Sequence, residues 1–114
     1  MARIRRYGGS YVLEINNGYI RDYGGSYQYE ISGRYIRRYG GSYLYEIDGD
    51  RIRDYGGSYR LEVSSSGIVR RYGGSAIAQV DGNKIREYGG SYLYEIDGFC
   101  SHTELMALLA LLFA

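Results

Sequence analysis

The tetrapeptide Tyr-Gly-Gly-Ser begins at Tyr7, Tyr23, Tyr39, Tyr55, Tyr72 and Tyr88, in steps of 16, 16, 16, 17 and 16 residues. A recurrence this regular means one supersecondary unit used six times. The consensus is Ile-Arg-x-Tyr-Gly-Gly-Ser-Tyr-x-Tyr-Glu-Ile-Asp-Gly-x-x, numbered here from its Ile as positions 1 to 16, and Tyr-Gly-Gly-Ser-Tyr-Leu-Tyr-Glu-Ile-Asp-Gly stands unchanged at 39–49 and 88–98.

Each unit reads as two strands and two turns. The first strand, Tyr35 to Tyr39 in the third unit, ends at a Gly-Gly pair, and the second, Ser42 to Ile47, ends at Asp48-Gly49. Both dipeptides supply the positive φ that two-residue hairpin turns need, and Tyr, Ile and Val suit a half-buried pleated surface. Six units predict twelve strands in an antiparallel meander, because parallel pairing needs longer crossovers. Asn16-Asn17-Gly18 and Ser64-Ser65-Ser66-Gly67 replace Asp-Gly, and the second carries the extra residue. The fifth unit is the least regular, with Ala76, Ile77, Ala78 and Gln79 where others have Tyr, Leu, Tyr and Glu; smaller side chains there leave room for something bulky.

Alternation assigns positions 1, 8, 10 and 12 to an apolar face. The opposite face carries Arg at position 2 (Arg5, Arg21, Arg37, Arg53, Arg70, Arg86) and Glu at position 11 (Glu14, Glu30, Glu46, Glu62, Glu95), placed diagonally on neighbouring strands. That is first of all a solvated charge ladder, each pair contributing ~0.2–1 kcal/mol. As a function, the Arg row flanked by Tyr7 and its equivalents is a candidate face for an anion, a sugar or a protein partner. At position 3 the sign alternates, Arg6, Asp22, Arg38, Asp54, Arg71, Glu87, which closes without a break only if Glu87 comes round to Arg6. The expected fold is therefore all-β with one C-terminal helix, a closed barrel without edges.

Residues 104–114, Glu-Leu-Met-Ala-Leu-Leu-Ala-Leu-Leu-Phe-Ala, are the one helical pattern. Ten successive apolar residues leave no face for water and span ~15 Å, half the thickness of a bilayer core. A barrel of such strands is ~14 Å tall, and twelve strands leave a lumen that needs filling. The helix is expected to fill it, with Leu105, Met106, Leu108, Leu109, Leu111, Leu112 and Phe113 buried, 99–103 as the connection, and Ser101 or Thr103 as N-cap. The whole chain, 1–114, is one domain, with hairpins over 3–98. The alternative is an open sheet with the helix on one face or serving as a weak membrane tail.

Architecture of this kind, twelve strands around a hydrophobic C-terminal helix, resembles the tubby C-terminal domain and the related phospholipid scramblase and LURP-one folds. That resemblance implies binding of a phosphoinositide headgroup through basic residues, without assigning a position here. The repeat itself, over residues 4–98, is similar to short Tyr/Gly-rich repeats of uncharacterised bacterial proteins, which imply no activity. Cell-wall choline-binding repeats also use aromatic hairpins, but their Trp-Tyr-Tyr signature is absent.

Fourteen basic residues against thirteen acidic ones give no field for nucleic acid, and stacking of single strands on the Arg/Tyr face is weighed against by that balance. The single Cys100 forms no internal disulfide, and with no apolar leader in the first ten residues this points to a cytoplasmic protein. Cys100 and His102 are too few for a structural zinc site, and nothing orients His102 as a base for the thiol. The Gly-Gly-Ser turns lack the following helix and Lys of a phosphate loop. The expectation is a non-enzymatic, monomeric structural or interaction module without cofactor or metal, its partner a protein or a lipid, with anion or lipid-headgroup binding as the alternative.

Overall fold

The computed structural model describes residues 1–114. Twelve strands form one closed antiparallel barrel in which each strand pairs with its sequence neighbours and β1 pairs with β12. The strands are β1 (Ala2–Arg6), β2 (Tyr11–Asn16), β3 (Tyr19–Asp22), β4 (Tyr27–Ser32), β5 (Tyr35–Arg38), β6 (Tyr43–Asp48), β7 (Arg51–Asp54), β8 (Tyr59–Val63), β9 (Ile68–Arg71), β10 (Ala76–Asp81), β11 (Lys84–Glu87) and β12 (Tyr92–Gly98), followed by helix α1 (His102–Phe113). The molecule is a short wide ring, 37 × 35 × 17 Å.

The two kinds of turn differ. At Asp48-Gly49-Asp50-Arg51 the loop is two residues long, Asp48 pairing with Arg51, and Gly49 takes φ 64°. At Tyr39-Gly40-Gly41 it is three, contrary to the expected two-residue hairpin: Arg38 N–H donates to the Ser42 carbonyl (3.0 Å), and Gly41 N–H to the Arg38 carbonyl (2.8 Å). Gly40 at φ 68° supplies the positive angle that a tight turn wants at its second central residue. The extra residue of the fourth unit is absorbed in the same way, Gly67 N–H reaching the Ser64 carbonyl at 2.9 Å.

Next to each three-residue loop the register slips by one. Ile36 faces Tyr45 while Arg37 faces Tyr43, so Leu44 is a bulge residue, and the other five units repeat the slip. Bulges bend and twist a strand, which is what curling twelve short strands into a ring requires. They also reverse an expectation. Position 8 (Tyr11, Tyr27, Tyr43, Tyr59, Tyr92) is carried onto the outer face, level with the Arg row, and Tyr27, Tyr43 and Tyr92 are exposed.

Inside, position 1 forms a fully buried ring of Ile4, Ile20, Ile36, Ile52, Val69 and Ile85. Ile15, Ile47, Val63 and Ile96 of position 12 complete it, and Leu61 and Ala78 stand at position 10 beside partly buried Tyr29, Tyr45 and Tyr94. The seam is an ordinary strand pair: Ile4 faces Ile96 and Arg5 faces Glu95. Position 3 lies opposite position 10, so the alternating charges follow one another around the lip of the Tyr-Gly-Gly-Ser rim. No ion pair joins any two of them; Asp22 accepts from Gln28 at 2.9 Å and Asp54 lies 3.5 Å from Arg60 instead.

Helix α1 begins two residues earlier than expected, at His102, with Ser101 as N-cap. Glu104 N–H donates to Ser101 Oγ (3.1 Å) and Ser101 N–H to Glu104 Oε1 (3.0 Å), a reciprocal capping box. Met106 to Ala110 are all buried and belong to one cluster with the inward strand residues. Five successive residues turn through more than one circle of ~3.6 residues, so the middle of the helix has no side facing water. Leu105, Leu111, Leu112 and Phe113 are only partly buried, a correction to the expected burial along its whole length. No helix is long and apolar enough to cross a membrane.

Candidate functional site

The outer wall carries two interlocked rows. Position-4 tyrosines, 47–54% exposed, stack on position-8 tyrosines of the preceding unit: Tyr23 on Tyr11 (ring centroids 5.1 Å apart), Tyr39 on Tyr27 (5.7 Å), Tyr55 on Tyr43 (5.0 Å), Tyr72 on Tyr59 (5.0 Å), and Tyr7 on Tyr92 across the seam (5.0 Å). Tyr19 and Tyr35 add edge contacts to Tyr39 and Tyr55. Arginines lie over these rings, Arg21 on Tyr27 at 5.9 Å, Arg37 on Tyr43 at 5.6 Å, Arg53 on Tyr59 at 5.4 Å and Arg86 on Tyr92 at 5.5 Å. The bulge makes this belt, because it puts the position-8 ring on the same face as the position-2 guanidinium.

The Arg row is largely committed to carboxylates. Arginine and glutamate stand directly opposite one another across adjacent strands, not diagonally as expected: Glu14 faces Arg21, Glu30 faces Arg37, Glu46 faces Arg53, Glu62 faces Arg70, and Glu95 faces Arg5. Arg5 Nη2 reaches Glu95 at 2.6 Å, Arg21 Nε donates to Glu14 at 2.7 Å, and Arg37 and Arg53 stand 3.9 Å from Glu30 and Glu46. Arg70 and Arg86 carry no ion pair; Glu62 turns to Arg51 at 3.5 Å, and Arg86 faces the neutral Gln79. Glu14 is buried between Arg3 (3.1 Å) and Arg21, and hydrogen bonds from Arg21 and then Arg3 hold its carboxyl below the usual carboxylate range.

Two phenols cap these ladders in the same way. Tyr11 donates to Asp97 (2.6 Å) and Tyr59 to Asp48 (2.7 Å), and these bonds to carboxylates raise both phenol pKa values. The seam between β1 and β12 thus repeats a contact found within the sheet.

The opposite rim holds a cleft of about 420 Å³, where the first turn of α1 meets the enlarged 64–67 turn; Val63, Val80, Leu105 and Met106 form its apolar floor and Asp50, Ser64 and His102 its polar edge. Cys100 lies half-buried beside it, and burial, with Glu104 nearby, pushes its thiol pKa up, away from the thiolate a nucleophile needs. No group of three or more His, Cys, Asp or Glu side chains is placed to hold a metal ion.

Comparison with protein-family models, with curated proteins and with solved structures returns no match.

Proposed function

We propose that the protein is a non-enzymatic interaction module whose recognition surface is the outer Tyr/Arg belt. The observation that carries this is the ring of half-exposed tyrosine pairs with guanidiniums lying over them. Tyr and Arg are the residues that concentrate at the energetic centres of interfaces, because they offer rigid apolar area together with hydrogen bonds. The partner such a surface fits is a protein segment with aromatic and acidic side chains. The barrel is the scaffold: six copies of one hairpin hold the belt in a circle, and α1 stands in the lumen as its filling, which its all-round burial supports.

The lipid-headgroup reading implied by the resemblance to tubby-like barrels ranks second. Arg5, Arg21, Arg37 and Arg53 each face a glutamate, leaving little positive field for a phosphoinositide. Salt-sensitive pelleting with phosphoinositide vesicles would reverse the ranking. We place the protein in the cytoplasm as a monomer, in keeping with its unpaired Cys100.

The belt is tested on an array of acidic, aromatic peptides. Binding by the wild type that falls at least ~tenfold in the folded Tyr39→Ser/Tyr55→Ser variant supports it, the loss expected when interface anchors are truncated. No binding by the wild type, or equal binding by the variant, overturns it.

A further inference from the structure

Five times around the barrel the same four groups are set opposite one another: a position-8 tyrosine and a position-11 glutamate on one strand, and the position-4 tyrosine and position-2 arginine of the next unit. In four of these places the arginine and glutamate form an ion pair. Tyr43 and Glu46 against Tyr55 and Arg53 is one copy, and Tyr92 and Glu95 against Tyr7 and Arg5, across the seam, is another. In the sixth place β10 presents Ala76 and Gln79 to Tyr88 and Arg86. One strand has lost the ring and the carboxylate together, and both complements remain. Tyr88 is 54% exposed, like its equivalents, but stacks on no ring. Arg86 has no ion pair, and its Nε, like that of Arg5, is buried without a hydrogen-bond acceptor. Arg70, directly across from Ala76 on β9, makes no ion pair either, its facing Glu62 turning to Arg51 instead.

We propose that this gap is a binding site for a small ligand, or ligand end, bearing an aromatic ring and a carboxylate on one short flexible arm. The ring lies on Tyr88 above Ala76, and the carboxylate meets the Arg86 guanidinium beside the Gln79 amide. The other five places are internal templates for this complex, with ring centroids 5.0 to 5.7 Å apart and guanidinium–carboxylate distances from 2.6 to 3.9 Å at the four where the ion pair forms. Arg86 faces a neutral side chain where Arg5 faces Glu95, and an arriving carboxylate supplies the charge-assisted bond that Glu95 gives Arg5. Ring on ring adds the geometric preference that selects an aromatic over an aliphatic acid. This site rests on the reading of the belt as a recognition surface and narrows it to one strand.

The test is a titration of isotope-labelled protein with 3-phenylpropionate, followed by amide shifts, against 3-phenylpropanol (ring without charge) and butyrate (charge without ring). The wild type is compared with Ala76→Tyr/Gln79→Glu, which restores the repeat's own consensus and fills the gap. Expected are saturable shifts centred on Ala76, Ile77, Gln79, Arg86 and Tyr88, an affinity about tenfold tighter than for either comparison compound, and loss of binding in the filled variant. Arg86→Gln should bring phenylpropionate down to the level of phenylpropanol. No saturable shift, equal binding by the filled variant, or butyrate equal to phenylpropionate overturns the site. The peptide array decides the belt separately, so failure of the gap and failure of the belt are told apart.

Discussion

Tyr7 and Tyr92 stack 5.0 Å apart although 85 residues separate them, and they do so with the geometry of Tyr43 on Tyr55 within the sheet. The seam is therefore as well made as any other strand pair. Replacing either Tyr7 or Tyr92 by Ala should destabilise the barrel by ~1 kcal/mol, and a double-mutant cycle in urea should return a coupling of ~0.5–1.5 kcal/mol. A coupling near zero would mean the seam rings contribute nothing to closure.

The interrupted fifth unit predicts a gain. Ala76→Tyr/Gln79→Glu adds a sixth tyrosine pair with Tyr88 and a sixth carboxylate for Arg86, and should raise stability by ~1–2 kcal/mol. Urea midpoints at equal slope check it; a loss of stability would mean that β10 does not follow the register of its neighbours.

Glu14 sets an acid sensitivity. Its folded-state pKa lies below the usual value because Arg21 and Arg3 donate to the carboxylate. The stabilisation is therefore complete above the unfolded pKa of ~4.3 and is lost as pH falls through the lower folded value. Glu14→Gln should be less stable than wild type at pH 7, and the difference should shrink between about pH 4 and pH 2, read from urea midpoints. A difference independent of pH would remove the carboxylate as its cause.

Tyr11 and Tyr59 act at the alkaline end. Both phenols are raised by hydrogen bonds to carboxylates, so their stabilisation is complete below the unfolded pKa of ~10 and is lost as pH rises through the folded values. Ultraviolet titration of Tyr11→Phe/Tyr59→Phe should lose the two latest-ionising phenols. An unchanged upper limb would show that other tyrosines ionise last.

The helix carries the largest single effects. Leu108→Ala and Leu109→Ala should each cost ~2–5 kcal/mol, against ~1 kcal/mol for Ser101→Ala at the cap. Removal of residues 101–114 should leave insoluble or unfolded protein, and a soluble monomer of unchanged stability would refute the helix as core.

Much of this is written in the repeat. The position-1 aliphatics are buried because period-two alternation leaves them no other face, the even strand count brings β1 to β12 antiparallel, and Ser101 three residues ahead of Glu104 spells its own cap. The bulge is not written in the same way. Tyrosine suits both faces of a sheet, so Tyr43 and Tyr45 look alike in the sequence although one faces out and the other in. The available signal was position 9, where Val12, Gln28, Leu44, Arg60, Ile77 and Leu93 share no polarity, as befits a residue opposite no partner. The Arg row was legible and its direct pairing to Glu nearly so. The irregular fifth unit was legible only in part: Ala78 does face the core, but Ala76 and Gln79 lie on the outer wall, where their loss of ring and charge uncovers Tyr88 and Arg86.

An open repeat array can lengthen or shorten by recombination and keep each interface intact. This one cannot, because β1 must meet β12. One hairpin more or fewer changes the circumference by two strands, or ~9–10 Å, and disturbs the core cluster that the inward strand residues share with Met106–Ala110. Near-identical tandem segments are prone to such slippage, so a closed ring makes six a counted number: a gene copy with five or seven units should encode a chain that cannot reach the same native state.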